Sequence, residues 1–249
     1  MVLKLISLNC WLLPPPFSSE NGKRLDGIID WIKKSDPDIV VLQEVWMKAY
    51  IERLHKSLNG YNCVYSKSGL YNRTGLFTAT KVKVVSSEIV SFPTRYNLNL
   101  IELAARKGYH RIDLGDFILF NVHLYAPIKK KENNIVSEQF SLIKHLAEKE
   151  KLPTIVVGDF NLTLEQINIQ KDRTYKVIDG NGAKTIDNSN PYTSKYFNKF
   201  NKTFDAIDHI LVFGKGNRVQ VSQNVITNPI FSDHFILEVT IKIESNSTL

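Results

Sequence analysis

The sequence predicts an α/β fold in which packed β-sheets are covered by helices, rather than a regular alternation of strand and helix. Three observations support this prediction. Strand-like apolar runs outnumber helix-like runs, they cluster towards the C-terminus, and helices fall between only some of them. The 249 residues have 43% apolar content, which is sufficient for a large core, and we interpret residues 1–249 as one domain.

The predicted strands are runs of apolar and β-branched residues. They span residues 3–8, 39–42, 81–91, 117–122, 154–157, 207–213 and 235–243. The first run alternates in the manner of a strand, so we expect no signal peptide at this end. No run approaches the roughly 20 apolar residues of a membrane-spanning helix, so none is expected.

The predicted helices have apolar residues three and four positions apart. The first covers about residues 23–34 and stops at Ser35–Asp38. The second follows Glu44, and the third covers about residues 134–149 and ends before Pro153. We expect two stretches, 12–17 and 171–202, to be surface loops that could carry specificity.

Charge and cysteine content narrow the function without deciding it. The net charge of +7 and pI near 9.2 favour a polyanionic or anionic-surface partner, with nucleic acid, anionic lipid and plain solubility all left open. The two cysteines, Cys10 and Cys63, are expected to be reduced thiols, because a core of this size needs no disulfide.

Polar residues lie where the apolar runs end or begin. Asn9, Glu44, His123 and Asp159 each follow a run, whereas Asp208, Asp233 and His234 lie at or just before the start of one. If the second group of strands is antiparallel to the first, all these residues meet at one rim of the sheets. Carboxylate and amide oxygens suit Mg²⁺ bound together with a phosphate group, and the absence of a cysteine cluster or a His-Glu-x-x-His motif argues against a zinc site.

Each of these residues also has a structural explanation when taken singly. Residues 158–161, Gly-Asp-Phe-Asn, could form an Asx turn, and Glu44 could begin the next helix. His123 could be a core histidine, Asp208 could make only a local pair, and residues 233–234 could form a surface turn. Their joint occurrence at strand ends, in this order, favours the functional interpretation.

Together these residues resemble the motifs of the endonuclease/exonuclease/phosphatase superfamily. The motifs are an early Asn, a Gln-Glu pair, a central His, Gly-Asp-x-Asn, a later Asp and a final Ser-Asp-His. They correspond here to Asn9, Gln43–Glu44, His123, Gly158–Asn161, Asp208 and Ser232–His234. The resemblance implies a four-layer α/β/β/α sandwich with two packed mixed sheets, and a metal-dependent phosphoric diester hydrolase that uses Mg²⁺, with Mn²⁺ able to substitute.

The same resemblance implies which residues bind the metal ion and the substrate phosphate. Glu44 would be the principal metal ligand, assisted by Asn9 and Asp233. Asn161 would bind the scissile phosphate. Lys107 would help, because residues 105–108 resemble the Lys-Gly element before the histidine strand, although a solvated lysine is the alternative explanation.

The catalytic roles are implied in the same way. Asp159 with Asn161 would position the nucleophile, which we expect to be water. His234 would be the general base, oriented by Asp208. His123 would stabilise the transition state or protonate the leaving group.

The residues that flank the motifs indicate a subfamily. Residues 8–11, 43–46 and 121–127 resemble neutral sphingomyelinases and fungal inositol phosphosphingolipid phospholipases C. This implies a phosphosphingolipid substrate at a membrane surface, for example sphingomyelin cleaved to ceramide and phosphocholine. The segment 11–17 and the lysines at 129–131 are candidates for docking there, with a solvated loop and charge run as the alternative.

Other functions remain open at this point. A nuclease would use the same motifs, and its candidate nucleic-acid contacts are Tyr192, Lys195, Tyr196 and Lys199. A phosphoinositide phosphatase is a further alternative, although the Trp-x-Gly-Asp-x-Asn-Tyr-Arg element of 5-phosphatases is absent. A non-catalytic scaffold of the same fold is the third. We expect a cytoplasmic enzyme with peripheral membrane association and no obligate protein partner.

Overall fold

The computed structural model describes residues 1–66, 69, 71–93, 100–127, 133–169, 175–183, 206–214 and 219–244. The strands are β1 (Val2–Leu12), β2 (Ile39–Val45), β3 (Asn62–Tyr65), β4 (Phe77–Thr80), β5 (Ser86–Ser91), β6 (Gly108–Asp113), β7 (Ile118–His123), β8 (Thr154–Asp159), β9 (Tyr175–Ala183), β10 (Ala206–Phe213), β11 (Val219–Ile226) and β12 (Ile236–Ile243). The helices are α1 (Asn21–Ser35), α2 (Lys48–Ser57), α3 (Leu100–Ala105), α4 (Asn133–Lys149) and α5 (Leu164–Ile169), and Arg73–Gly75 forms a 3₁₀ turn.

The described strands form two six-stranded mixed sheets. The first has the order β11-β12-β1-β2-β4-β3 and the second has the order β5-β6-β7-β8-β10-β9. β1 is parallel to β2 and β7 is parallel to β8, whereas β12 is antiparallel to β1 and β10 is antiparallel to β8. The predicted α/β sandwich with two packed mixed sheets is therefore confirmed.

Three apolar clusters separate the four layers. The central cluster lies between the sheets and includes Leu5, Val41, Leu119 and Ile155, all fully buried. α1 and α2 pack on the outer face of the first sheet, and α4 and α5 pack on the second sheet. Burial of each large apolar side chain stabilises the fold by about 1.5–3 kcal/mol, so this packing holds the strand ends in place.

Some predicted elements differ from the structure. The run 81–91 is not one strand, because β4 ends at Thr80 in the first sheet and β5 begins at Ser86 in the second. Part of the stretch predicted as a polar loop, 171–202, forms the edge strand β9, while residues 184–202 lie outside the described residues. The strands β3, β4, β6 and β11 and the short helices α3 and α5 were not predicted.

The segment predicted to dock on membranes is only partly exposed. Trp11 and Leu12 are buried at the end of β1, whereas residues 15–17 are exposed. The lysines at 129–131 lie outside the described residues. Within the described part of the chain, no helix has the length and apolar character needed to cross a membrane.

Candidate active site

Strand pairing brings the predicted residues to one rim of the sandwich. In the first sheet Asn9 pairs with Gln43, which places Asn9 beside Glu44. In the second sheet Asp159 has His123 opposite it on one side and Asp208 opposite it on the other. The antiparallel arrangement of the later strands, on which the sequence prediction depended, is therefore present.

Asn9 connects the carboxylates of the two sheets. Its Nδ2 donates to Asp159 Oδ2 at 2.9 Å and to Glu44 Oε1 at 3.2 Å. Its Oδ1 accepts from the Trp11 backbone N–H at 3.0 Å, so the amide nitrogen, rather than the oxygen, faces the carboxylates. The role of Asn9 as a metal ligand stays a prediction, and in this arrangement it orients Glu44 and Asp159.

His123 is buried beside both acidic groups. Its Nε2 lies 3.7 Å from Glu44 Oε1 and 3.6 Å from Asp159 Oδ2. The ring centroid of Trp46 is 6.4 Å from that of His123. The imidazole is therefore held between the two sheets, within reach of a group bound at the rim.

His234 and Asp208 form a buried dyad. His234 Nδ1 and Asp208 Oδ2 are 2.6 Å apart, and His234 Nε2 faces Asp159 Oδ2 and Asp233 Oδ1 at 3.9 Å each. Burial raises the pKa of Asp208 to about 6. Burial opposes protonation of His234, but the neighbouring carboxylates, Asp208 first, raise its pKa to about 9. The carboxylates around His234 therefore favour an imidazolium that donates from Nδ1 to Asp208.

Ser232 fixes the segment that precedes β12. Its hydroxyl donates to the Asn9 carbonyl oxygen at 2.6 Å and accepts from the His234 backbone N–H at 3.3 Å, and it lies 3.2 Å from Asp233 Oδ1. The sequence pattern included Ser232 only as part of a motif. In the structure it joins the last motif to the first.

The Gly-Asp-x-Asn motif makes a tight turn after β8. A Cβ at Gly158 would lie 2.1 Å from the Val122 carbonyl oxygen, so only glycine allows β7 and β8 to approach this closely. Asn161 has φ 49° and donates its backbone N–H to Asp159 Oδ1 at 2.9 Å. The Asx turn considered as an alternative is therefore present, and it also orients Asp159.

Lys107 lies just before β6 and belongs to the same electrostatic cluster. Its Nζ is 3.0 Å from Glu102 Oε1, with both side chains largely buried. Burial opposes ionisation of Asp159, but the His234, His123 and Lys107 charges lower its pKa. Glu102 was not predicted from the sequence, because a single glutamate on a short helix belongs to no motif.

Glu44 has the properties expected of a cation ligand. Burial raises its pKa to about 7, although the Lys107 charge opposes this, and its φ is 56°. In the described structure its buried Oε2 has no hydrogen-bond partner. A buried carboxylate oxygen of this kind fits a hard divalent cation, for which carboxylates are preferred ligands.

A second group of side chains could also hold a cation. Asp159, Asp208 and His234 each bring a potential ligand atom within 4.8 Å of the others. Asp208 and His234 in this group already bind each other, whereas the Oε2 atom of Glu44 has no hydrogen-bond partner in the described structure.

The chain belongs to the Endonuclease/Exonuclease/phosphatase family, whose model matches residues 6–234. Members of this family are phosphodiesterases and other hydrolases, generally dependent on divalent metal ions. The recognition of this family from the sequence motifs is confirmed.

Three curated relatives show what the chain is similar to. It is 27% identical over 64% of its length to inositol phosphosphingolipids phospholipase C of Schizosaccharomyces pombe, and 25% identical over 85% to a putative neutral sphingomyelinase of Drosophila melanogaster. It is also 27% identical over 56% to tyrosyl-DNA phosphodiesterase 2 of Gallus gallus. The matches cover 41%, 52% and 37% of those proteins, so the chain spans about half their length or less.

Solved structures share the fold at lower identity. SmcL matches with a TM-score of 0.75 at 17% identity, over 97% of this chain and 99% of that one. A humanized D. rerio TDP2 matches with a TM-score of 0.73 at 19% identity, over the same shares. Both agree with the fold described above.

Proposed function

We propose that the chain is a metal-dependent phosphodiesterase that hydrolyses a phosphosphingolipid, for example sphingomyelin to ceramide and phosphocholine. One observation carries the hydrolytic part of the proposal. Four carboxylates and two imidazoles converge in a cluster at the rim, in which Asp159 Oδ2 lies 3.6 Å from one imidazole and 3.9 Å from the other. Such a cluster suits proton transfer on both sides of a phosphate group.

In this proposal Glu44 and Asp233 hold the divalent cation, which we take to be Mg²⁺, with Mn²⁺ able to substitute. When bound, the cation would neutralise the charge that develops on the phosphoryl oxygens. Asn9 keeps the Glu44 carboxylate in place through its 3.2 Å hydrogen bond. The pKa of His234 would fall with a cation nearby, which favours the neutral imidazole that a general base requires.

The protein groups then have distinct tasks. His234 accepts a proton at Nε2 from a water molecule while its Nδ1 remains bonded to Asp208. The water oxygen forms a bond to phosphorus as the bond to the leaving alcohol oxygen breaks, and His123 gives that oxygen a proton. Asp159 lies between the two imidazoles and orients the water. Asn161 and Lys107 bind the phosphate oxygens.

Two observations support a lipid substrate. Two of the curated relatives are named for phosphosphingolipid hydrolysis, and the residues that flank three motifs resemble those enzymes. The exposed residues 15–17 follow β1 shortly after Asn9, so they are candidates to contact the membrane surface from which a lipid would be drawn. A cytoplasmic enzyme with peripheral membrane association is part of this proposal.

The test is hydrolysis of sphingomyelin in mixed micelles with Mg²⁺, with release of phosphocholine as the signal. His234→Ala should abolish it, whereas His145→Ala, which changes an exposed histidine on α4, should not. Phosphoinositides, plasmid DNA and RNA are assayed in parallel. Absence of phosphocholine from an enzyme that cleaves another of these substrates would overturn the lipid assignment and retain the mechanism.

A nucleic-acid phosphodiester is the second candidate. The relative named tyrosyl-DNA phosphodiesterase 2 and the net charge of +7 favour it, because neutralising phosphates with lysine and arginine releases counterions. The four loop residues predicted to contact nucleic acid, 192, 195, 196 and 199, lie outside the described residues. Nicked plasmid or degraded RNA, with activity that falls steeply as salt is added, would select this candidate.

A further inference from the structure

Arg24 on α1 is a fully buried cation with an unusual set of partners. A guanidinium has five N–H donors, and burial of an unsatisfied donor is costly. Here all five donors bind neutral oxygen atoms. The acceptors are Ser19 O at 3.0 Å from Nε, Cys10 O at 2.8 Å and Phe231 O at 3.0 Å from Nη1, and Trp11 O at 2.6 Å and Asn21 Oδ1 at 2.8 Å from Nη2.

These bonds join two segments that carry active-site residues. Cys10 follows Asn9 directly, and Phe231 precedes the Ser232–His234 segment directly. A single Nη1 atom binds the carbonyl groups of both, although Arg24 and Phe231 are 207 positions apart in the chain. Arg24 therefore sets the separation between the end of β1 and the segment that contains His234.

Arg24 also acts on the orientation of Asn9. It binds the Trp11 carbonyl oxygen, and the Trp11 N–H in turn donates to Asn9 Oδ1 at 3.0 Å. Trp11 has φ 46°, a left-handed conformation that its own side chain disfavours. The guanidinium carbon lies 5.2 Å from the centroid of the Trp11 ring, so a cation–π contact supports the same bend.

We propose that Arg24 is a positioning residue for the active site, which holds the Asn9 amide and the His234 imidazole in register with each other. The expected effect of Arg24 on turnover rests on the proposed function, whereas its expected effect on the positions of Asn9 and His234 does not. Lysine cannot replace it, because an ammonium group has three donors and lacks the planar fork that reaches both segments. A misplacement of about 1 Å at such a site lowers turnover by about 100-fold.

The experiment compares Arg24→Lys with Arg111→Lys. Arg111 makes an ion pair of 2.5 Å with Glu150, which packs β6 against the end of α4, so it controls for the loss of a guanidinium contact away from the site. The first measurement needs no substrate. It is the low-field proton NMR signal of His234 Nδ1–H, which its 2.6 Å bond to Asp208 should produce.

We expect Arg24→Lys to shift or lose this signal and to lower kcat by about 10- to 100-fold with KM changed less than about threefold. Arg111→Lys should leave both unchanged. A folded Arg24→Lys protein with the wild-type signal and kcat would overturn the proposal. If Arg24→Lys does not fold, Asn21→Ala removes one of the five acceptors of Arg24, together with the Asn21 bonds to Ser18 Oγ and the Leu13 carbonyl oxygen. This variant should move the signal and kcat in the same direction or contradict the proposal.

The two proposals fail in different ways. An enzyme that cleaves none of the four substrates refutes the proposed function, yet the NMR comparison still decides whether Arg24 positions His234. An active enzyme whose His234 signal and kcat are unchanged by Arg24→Lys, or by Asn21→Ala where Arg24→Lys does not fold, refutes the positioning role alone.

Discussion

Replacement of Asn121 by leucine tests whether a buried amide contact between the sheets stabilises the sandwich beneath the active site. The two N–H groups of Asn121 Nδ2 face three acceptors, which are two carbonyl oxygens of the first sheet at 3.2 and 3.3 Å and Thr78 Oγ1 at 3.1 Å. Asn121 Oδ1 accepts from Gln43 Nε2 at 2.9 Å. In the variant, Gln43 Nε2 would keep only its 3.4 Å contact with Ser7 Oγ. A net hydrogen bond contributes about 1 kcal/mol and an unsatisfied buried donor costs about 1–3 kcal/mol. We therefore expect the free energy of unfolding to fall by about 2–4 kcal/mol, and Tm by about 5–15 °C.

Urea unfolding followed by circular dichroism and tryptophan fluorescence would measure this loss. Asn62→Leu is the matched control, because Asn62 is exposed on β3, and its effect should stay within about 0.5 kcal/mol. A cycle with Gln43→Leu should show a coupling free energy of about 1 kcal/mol or more. A loss below about 1 kcal/mol in Asn121→Leu, or an equal loss in Asn62→Leu, would show that the Asn121 contacts do not stabilise the sandwich.

Three buried ionisable groups, His110, Asp208 and Glu44, can be tested by substitution and by a change of pH. Burial lowers the pKa of His110 to about 3, so between pH 7 and pH 5 the unfolded chain gains a proton that the folded chain does not. Over this pH range the free energy of unfolding of the wild type should fall by about 2 kcal/mol more than that of His110→Gln. Parallel pH profiles of the two proteins in urea unfolding would contradict this. Asp208→Asn should lower the pKa of His234, measured by NMR titration of the metal-free protein, and should lower kcat by at least about 100-fold. An unchanged pKa of His234 would show that Asp208 and His234 do not form a dyad. Because the pKa of Glu44 is raised to about 7, the Mn²⁺ affinity measured by calorimetry should weaken as the pH falls below 7. At pH 8, Glu44→Gln should weaken the Mn²⁺ affinity at least about tenfold. Equal affinity in wild type and Glu44→Gln would show that the ion binds elsewhere.

The parts of the fold that the sequence predicted are those with strong periodicity. α1 was expected at about 23–34 and extends over Asn21–Ser35, because its apolar stripe is complete. β11 was missed although Val219, Val221 and Val225 alternate, and this alternation could have identified it. The second half of β9 contains Asp179, Gly180, Asn181 and Gly182, which are residue types depleted in strands, and its pairing with β10 at the sheet edge is a tertiary contact that composition does not record.

The identity of the site residues could be predicted, but their orientation could not. The motifs named Asn9 without indicating that its amide nitrogen faces the carboxylates, because this depends on the Trp11 backbone. Arg24 was missed for a related reason. Its partners are mostly backbone carbonyl groups, which are present in any sequence, so no pattern of residue types marks the position.

Three residues at the rim have backbone conformations that neighbouring contacts must hold in place. Trp11, Glu44 and Asn161 all have left-handed backbone conformations, with φ between 46° and 56°. Each costs about 1–3 kcal/mol and persists only where neighbouring contacts determine the geometry. At Trp11 those contacts come from Arg24, and at Asn161 they come from Asp159. The strained residues carry or support the carboxylates of the site. We infer that these conformations lower the stability of the fold locally and, in return, bring the carboxylates together at the rim.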